Sequence, residues 1–388
     1  MLSQQQRIFF EFLRFCIGTV QEVPSSLKGA DWRVLYAMAR KQCLVGVLFD
    51  GIKRLPADVG MDKGLLFQWM AQNQTLRKAN ARLDKAAVEV AEWFGRKGFR
   101  TCVLKGQGNA LLYPPGMERT PGDIDLWVDG GDRKVVSFVR SLSPDEKVCY
   151  HHIGFPEYNG VEVEVHFRPS FLFCFRHNRR LQGYYEQVMD GQFAHRVKLG
   201  EQGDVAVPKA EFNLIFQLTH IFTHLMNEGI GLRQLLDYFF LLKNTNFIGN
   251  TDGDGFLLNT DFTDNTDRIG GNADGVDRRL LQDELRRLGL WEFAGAVMYI
   301  MKEVFGLEDN RLIVPPDVKR GRLVLKEVLE AGNFGQYDKR NWFGHSALGH
   351  NLQRLYRDMR LVRYFPEEAL SEPFFRIWHF FWRKRIVR

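Results

Sequence analysis

Two periodicities of apolar and polar residues divide the chain. Residues 1–97 repeat apolar positions every three or four residues, which predicts amphipathic helices, including a long one over residues 63–97. The same spacing returns from residue 208 onward. Residues 98–207 instead contain short runs in which polar and apolar positions alternate, the period of a β-strand. The pattern therefore predicts an α+β protein with a small sheet between two helical regions.

The stretch that joins two of the predicted strands, residues 99–129, contains several polar residues of chemical interest. An apolar run breaks at Lys105-Gly106, a helix-like pattern follows over residues 107–113, and the next strand begins at Asp123-Ile124-Asp125. Because side chains alternate along a strand, Asp123 and Asp125 project from one face, roughly 7 Å apart along the chain. Two like charges on one face favour a divalent cation such as Mg²⁺. A strand that simply exposes its polar face has the same pattern.

A second alternating run follows a hairpin turn predicted at residues 159–160. Residues 161–167 read VEVEVHF, so that Glu162, Glu164 and His166 share one face of a strand. A solvated edge strand would look the same. Taken with the preceding pair of aspartates, however, the run offers a third carboxylate for a cation site.

The order of these features resembles the DNA polymerase β-like nucleotidyltransferase superfamily. More narrowly, it resembles a large, poorly characterised bacterial family of nucleotidyltransferases. The matching motifs are Leu104-Lys105-Gly106, Tyr113-Pro114, Arg119 and Asp123-Ile124-Asp125-Leu126. The resemblance implies an α+β fold in which a small mixed β-sheet forms the nucleotidyltransferase core, flanked by the N-terminal and C-terminal helical regions.

The same resemblance implies the reaction and its cofactor. A nucleoside monophosphate would move from an NTP to a hydroxyl acceptor with the help of two Mg²⁺ (or Mn²⁺) ions. Asp123, Asp125 and a third carboxylate would hold the metal. The family's pattern of apolar residue, Glu, apolar residue and His points to Glu164, with Glu162 as the second choice.

Nucleotide contacts are expected around the glycine turn. Gly106 lets the backbone approach a triphosphate closely, because glycine has no Cβ. Lys105 and Arg119 are candidates for neutralising phosphate charge. Gln107 takes the place of a serine that many members of the superfamily carry, which puts triphosphate anchoring through a hydroxyl in doubt.

The helices that begin near residue 208 hold further candidates. The resemblance extends to a Leu-Arg-Gln-Leu-Leu-Asp segment and implies a helical subdomain closing over the nucleotide, lined by Arg233 or His224. The residues alone leave another interpretation open, since Arg233 and Asp237 are four apart and suit a partly buried ion pair. His220 and His224 are four residues apart, a spacing at which two histidines can bind one zinc ion. Without an HExxH pattern, however, the sequence favours histidines that pack in the core.

The pattern divides the chain into three regions. Residues 1–97 form an N-terminal helical region, residues 98–207 the nucleotidyltransferase core, and residues 208–388 a C-terminal helical region. Within the core, a helix is predicted at residues 132–142 and a further strand at residues 147–153.

Residues 244–279 differ in composition from the helices around them. They are rich in Asn, Asp, Thr and Gly, with 7 Asp against 3 Arg. Such a segment cannot bury enough apolar surface to offset the entropy lost on ordering. A mobile insertion is therefore predicted here.

Cysteine usage and the absence of long apolar runs bear on the compartment. The five cysteines are scattered without CxxC spacing, which favours free thiols in a reducing compartment. No run approaches the roughly 18 apolar residues of a membrane span, and the N-terminal segment lacks the pattern of a signal peptide. A cytoplasmic protein without a transmembrane segment is expected.

Basic residues are concentrated in the C-terminal region, where residues 319–388 hold 15 Lys and Arg against 7 Asp and Glu. Residues 351–363 predict a helix with its leucines on a core face and its arginines outward, where they would be solvated or meet nucleic-acid phosphates. The aromatic and basic tail, residues 373–385, suits a docked helix, a membrane surface or a protein partner.

Three functional hypotheses follow. The first is an active enzyme that modifies a small molecule, a sugar, a protein or an RNA. The second is a catalytically inactive protein that still binds a nucleotide, which Gln107 keeps open. The third is a regulatory protein that acts through its C-terminal tail.

Overall fold

The computed structural model describes residues 2–56, 59–248, 275–340, 342–343 and 347–387. It has the α+β architecture that the sequence predicts. The helices are α1 (Gln4–Cys16), α2 (Trp32–Lys41), α3 (Val45–Ile52), α4 (Lys63–Arg96), α5 (Gln107–Ala110), α6 (Gly131–Leu142), α7 (Phe175–Ala194), α8 (Ala210–Asn227), α9 (Leu232–Asn244), α10 (Arg278–Arg287), α11 (Trp291–Glu303), α12 (Val318–Ala331), α13 (Ala347–Leu361) and α14 (Pro366–Ile386). The strands are β1 (Thr101–Val103), β2 (Ile124–Val128), β3 (His152–Tyr158), β4 (Val161–His166), β5 (Arg196–Leu199), β6 (Gly203–Ala206), β7 (Phe247–Ile248) and β8 (Val276–Asp277).

The central sheet has four strands in the order β1-β2-β4-β3. Strand β2 pairs antiparallel with β1 and parallel with β4, and β3 pairs antiparallel with β4. The sheet is therefore mixed, as expected. Its hairpin turn falls where predicted, because Asn159 and Gly160 both have positive φ and join β3 to β4.

Helix α4 links the two hydrophobic cores. Near its beginning, Leu65 and Trp69 lie in a core that the N-terminal helices share with the C-terminal ones. Near its end, Leu83 and Phe94 lie in a second core formed with the central sheet. At 34 residues and 1.5 Å per residue, α4 is about 51 Å long.

Two local predictions in the core region were wrong in their boundaries. The strand predicted at residues 147–153 is reduced to a single bridge between Val148 and Ile153, and the strand that forms instead is β3. Residues 154–156 read Gly-Phe-Pro and argue locally against a strand, but pairing with β4 overrides that preference. The helix predicted over residues 107–113 ends at Ala110.

The segment predicted as a mobile insertion is described only at its two ends. Helix α9 ends at Asn244, strands β7 and β8 pair in parallel, and α10 begins at Arg278. Residues 249–274 lie outside the described residues.

The faces of α13 are inverted relative to the prediction. Leu352, Leu355 and Met359 are exposed, whereas Arg357 is buried. The reason is charge: Arg357 lies 3.7 Å from Asp338. Two further arginines also face acids, with Arg354 at 3.6 Å from Glu372 and Arg360 at 3.2 Å from Glu327. The helix therefore turns Arg357 and Arg360 toward the protein, whereas Arg354 stays partly exposed.

Helix α14 docks on the protein through part of its surface. Phe375 is buried, and its ring centroid lies 5.1 Å from that of Tyr150 and 5.3 Å from that of Phe171. The side chain of Glu368 accepts hydrogen bonds from the backbone N–H groups of Phe173 and Cys174. These contacts attach the first half of α14 to the segment that follows β4.

The state of the cysteines and the character of the helices bear on the expected compartment. All five cysteines are free thiols. Within the described ranges, no helix combines the length and apolar character that crossing a membrane requires.

Two carboxylates face each other between α13 and α14. Burial, and then the charge of Glu372, raise the pKa of Asp358 to about 8. In an unfolded chain an aspartate titrates near 3.9, so between about pH 4 and pH 8 the folded protein holds more protons at this position than the unfolded protein. Folding stability should therefore fall as the pH rises through that window.

We predict that Asp358→Asn stabilises the protein at pH 8, because asparagine has the shape of the protonated acid without its titration. The unfolding midpoint should rise by roughly 2–4 °C at pH 8 and by less at pH 5, measured by differential scanning calorimetry. The control is Asp283→Asn at an exposed position of α10. Equal shifts at both pH values would contradict the prediction.

Candidate active site

The pairing of β1 with β2 brings the glycine turn to the aspartates. Beyond the last paired residue of β1, the Leu104 N–H still donates to the Asp125 carbonyl, at 3.0 Å. Lys105 and Gly106 follow immediately. Gly106 has a φ of +64°, which favours glycine, and a Cβ there would lie 3.4 Å from the Asp123 carbonyl oxygen. The turn is therefore packed against the start of β2.

The pairing of β2 with β4 brings the predicted carboxylates together. Asp125 is in register with Glu164 across the parallel pair. On β4 the alternation is as predicted, since Val161, Val163 and Val165 are buried in the sheet core while the Glu face turns away. Asp123 lies directly before β2, half-buried, and Glu162 is exposed.

Asp125 is the most deeply buried of these carboxylates, at 1% exposure. Its Oδ1 accepts hydrogen bonds from Lys105 Nζ and His166 Nε2, each at 2.9 Å. Although burial alone would raise its pKa, the positive charge of Lys105 and the hydrogen bond from His166 lower it, so that Asp125 is ionised. Its Oδ2 is buried and has no hydrogen-bond partner among the described residues.

His166 is an internal cation of the site. Its Nε2 lies against Asp125 and its Nδ1 lies 3.3 Å from the carbonyl oxygen of Arg168. Both neighbours are acceptors, so both ring nitrogens must carry protons. Burial acts to lower the pKa of His166, but the hydrogen bonds to Asp125 and Glu164 outweigh it and raise the pKa to about 9.

Glu164 completes the carboxylate face. Its Oε2 lies 3.5 Å from His166 Nε2 and 3.3 Å from His152 Nδ1. Burial acts to raise the pKa of Glu164, yet the hydrogen bond from His166 contributes most to lowering it, to about 2. The carboxylate is therefore charged throughout the physiological range.

These residues fit a divalent cation. Ligand-type oxygens of Asp125 and Glu164 lie within 4.8 Å of each other, on either side of the protonated His166 ring, which itself offers no lone pair to a metal. The unpartnered Oδ2 of Asp125 is a buried carboxylate oxygen, which costs free energy unless a cation or donor meets it. Oxygen donors of this kind suit Mg²⁺ and Mn²⁺.

A cleft that is partly open to solvent lies beside the carboxylates. One wall carries Lys105, Gly106, Asp123 and Asp125. The opposite wall comes from α8, α9 and residues 333–335, and includes Phe216, Gln217, His220, Ile221, Arg233, Gln234 and Phe334. The structure thus brings the glycine turn, the aspartates and Arg233 to one cleft.

Arg119 lines the cleft but is held by a buried ion pair. Its Nε and one terminal nitrogen each donate to Asp237, both at 2.8 Å. Tyr113 also donates to this carboxylate, at 2.6 Å. The i,i+4 pair considered between Arg233 and Asp237 is therefore wrong, because the partner of Asp237 comes from the segment before β2 and not from its own helix.

Arg233 remains without an ion pair among the described residues. It donates to the carbonyl oxygens of Thr120 and Pro121, at 3.3 and 3.2 Å, and its Nε is buried without a hydrogen-bond partner in the same part of the chain. Burial, and then the charge of Arg119, lower its pKa. A buried guanidinium that lacks a counter-ion is well suited to bind an anion.

Phe334 lies beside Arg233, with its ring centroid 5.4 Å from the guanidinium carbon. Its φ of 50° and ψ of 33° place it in the left-handed region, where a bulky residue is strained. Gly335 fixes the loop, because a Cβ there would lie 2.0 Å from the Glu228 carbonyl oxygen. The ring is therefore presented to the cleft at a cost in backbone energy.

Gln107 and the two histidines of α8 lie at the edges of this arrangement. The Gln107 side chain is buried and faces Asp84 of α4, and it is not among the residues that line the cleft. His220 is buried, with Nε2 at 3.2 Å from Lys105 Nζ. His224 packs edge-to-face against it at a ring centroid distance of 4.2 Å and contacts Glu228.

Some residues of the site were not identified as candidates in the sequence. The alternation over residues 161–167 did place His166 on the right face, but its contact with Asp125 depends on the parallel pairing. The sequence around Phe334 does not identify it as a residue of the cleft, because its position beside Arg233 depends on how α12 and the following turn pack.

Comparisons with known proteins identify the family. A family described as "Uncharacterised nucleotidyltransferase" matches residues 28–256, more than half of the chain. The chain belongs to this family, and the match supports a nucleotidyltransferase activity. Comparison with functionally curated proteins finds no match.

One solved structure is reported for its likeness to this chain, an antigenic nucleotidyltransferase-like protein from Paracoccidioides brasiliensis. The two are 15% identical, and the match covers 42% of this chain and 75% of that chain, with a TM-score of 0.27. At that score the likeness carries no argument about the fold or the site.

We predict that Asp237→Asn lowers the free energy of unfolding by about 3 kcal/mol, because it leaves the buried Arg119 charge without its partner. The double variant Arg119→Met with Asp237→Leu should lose clearly less free energy of unfolding than the sum of the losses in the two single variants, Arg119→Met and Asp237→Leu. Urea unfolding measures both.

The control is Asp190→Asn, which removes an exposed partner of Arg100 and should cost well under 1 kcal/mol. Additive costs in the double variant would show that the two side chains do not act as a pair.

Proposed function

We propose that this protein is a divalent-metal-dependent nucleotidyltransferase that moves a nucleoside monophosphate from an NTP to a hydroxyl acceptor. The observation that carries the proposal is the buried, ionised Asp125, which keeps one oxygen without a hydrogen-bond partner among the described residues and lies in register with Glu164. Family membership supports an NTP as the substrate.

We assign the metal to Asp123, Asp125 and Glu164. When bound, Mg²⁺ or Mn²⁺ would neutralise phosphate charge and stabilise the attacking and leaving oxygens of the transfer. Lys105 and His166 hold Asp125 by its Oδ1 and leave Oδ2 for the cation. Their two positive charges also keep the carboxylate ionised inside the protein.

The triphosphate would lie between the two walls of the cleft. Gly106 allows close backbone approach, and Arg233 supplies a guanidinium that has no carboxylate partner among the described residues. We propose that Phe334 packs against the base or the acceptor, since its strained backbone holds an aromatic face beside Arg233. Arg119 would act indirectly, because its ion pair with Asp237 would hold the segment that precedes β2 against α9.

The proposal is tested by transfer of label from α-phosphate-labelled NTPs to the protein and to cell extract, with Mg²⁺ or Mn²⁺. We predict that Asp125→Asn lowers the rate by roughly a thousandfold, because it removes the charge that holds the cation. It should also weaken Mn²⁺ binding measured by isothermal titration calorimetry.

The matched control is Asp129→Asn, at the other end of β2, where the carboxylate pairs with Arg100 at 2.6 Å. It should leave both label transfer and Mn²⁺ binding unchanged. Wild-type transfer that survives Asp125→Asn would overturn the assignment of this site.

We predict that Arg233→Met raises the KM for the NTP by roughly tenfold to a hundredfold, the loss expected for a charge-assisted hydrogen bond. The control is Lys243→Met, which removes the exposed cation at the end of the same helix. Steady-state kinetics at saturating metal separates KM from kcat. Loss of kcat alone would argue that Arg233 acts on the transfer step and not on binding.

Nucleotide binding without transfer is the second candidate. It is favoured by Gln107, which faces Asp84 and leaves the glycine turn without a side-chain anchor for the triphosphate. It is also favoured by His166, which partly balances the carboxylate charge from within the protein. NTP binding by a wild type that transfers no label would select this candidate.

A further inference from the structure

The C-terminal hairpin of α13 and α14 carries an apolar surface that the described part of the chain leaves exposed. On α14, Leu370, Phe374, Ile377 and Phe381 are 57–68% exposed. Their spacing of four, three and four residues places them in one stripe along the helix. The docked face of α14, which contains Phe375, lies on another side of the helix.

Helix α13 carries a stripe with the same spacing. Leu348, Leu352, Leu355 and Met359 are 39–68% exposed. This is the face that the sequence assigns to a core, and it is left outside because the arginines of α13 turn inward to buried acids. An amphipathic helix therefore presents its apolar side to the surroundings.

The two stripes lie on the same side of the hairpin. The helices run antiparallel, since Asn351 meets Arg376 and Arg354 meets Glu372. On α13 the stripe residue Leu352 directly follows Asn351, and on α14 the stripe residue Ile377 directly follows Arg376. Successive residues lie about 100° apart around a helix, with the same handedness in both helices. Because the two helices run in opposite directions, the residues that follow the two contact positions, Leu352 and Ile377, point to the same side of the pair. They form one surface of eight large apolar side chains.

The basic residues at the end of the hairpin indicate which kind of partner its apolar surface would bind. Residues 373–386 contain four basic residues and no acidic residue. Lys384 and Arg385 are exposed beyond Phe381, and Lys384 Nζ lies 4.3 Å from the Phe380 ring centroid. Exposed phenylalanines and leucines bordered by cations are suited to the interface of an anionic membrane, where the rings enter the acyl boundary and the cations meet the headgroups.

We propose that the α13–α14 hairpin is a membrane-docking surface that binds anionic lipid through this apolar stripe and its basic end. The surface lies apart from the residues that line the cleft, so the proposal is independent of the chemistry proposed there. It would hold the protein at a lipid surface by peripheral contact of the two helices.

The test is flotation of the full-length protein with vesicles of phosphatidylcholine alone or with about 30% phosphatidylglycerol. We predict binding to the anionic vesicles that weakens with salt, and little binding to the neutral ones. Phe374→Ser with Phe381→Ser should reduce the bound fraction by roughly tenfold, because it removes both large rings from the stripe. Lys384→Glu with Arg385→Glu should reduce binding to anionic vesicles to a similar extent.

The matched control is Phe67→Ser on α4, which removes a phenylalanine of similar exposure, 64%, outside the hairpin. It should leave vesicle binding unchanged. Analytical ultracentrifugation of the same variants tests the other occupant, a second copy of the chain.

A wild type that does not float with anionic vesicles would overturn the proposal, as would binding that Phe67→Ser reduces as much as the paired substitution. A dimer that Phe374→Ser with Phe381→Ser dissociates, without vesicle binding by the wild type, would show that the surface joins two copies instead.

Discussion

The candidate site depends on the parallel pairing of β2 with β4. That pairing sets Asp125 beside Glu164 and brings His166 under the Asp125 carboxylate. A shift of β4 by one residue would turn Glu164 and His166 to the other face of the sheet, away from Asp125, and would bury the wrong set. The alternating valines of β4 oppose such a shift, because they fill the core beneath the sheet. The hydrophobic core and the charged site therefore specify the same register.

The two walls of the cleft differ in how their charged side chains are paired. On the sheet side, Lys105 and His166 balance the carboxylates and leave one oxygen of Asp125 open. On the helical side, the Arg119–Asp237 pair is complete, and Arg233 is left as a cation without a carboxylate partner in the described part of the chain. The cleft thus presents an acceptor for a cation opposite a donor for an anion. That complementarity is what a metal-bound triphosphate requires, and it supports the proposed function.

The sequence predicted features that depend on local periodicity. Strands β2 and β4, the turn between β3 and β4, and the common face of Glu164 and His166 all follow from local sequence pattern, which survives tertiary context when one face is buried. Features that depend on distant partners could not be found in this way. Asp237 finds its partner in Arg119, which is remote in sequence, and the buried side of α13 is decided by acids on other elements. An apolar stripe in the sequence predicts an amphipathic helix, but it does not predict which face of that helix packs against the rest of the protein.

Helix α4 has a mechanical consequence for the cleft. Its first half is fixed in the core that also holds α8 and α9, and its second half is fixed in the core beneath the sheet. Both walls of the cleft are therefore attached to one rod about 51 Å long. A hinge between the walls would have to bend that rod or separate one half from its core. The architecture favours a cleft of constant width, which a ligand would enter through the open side without a closing movement of the whole domain.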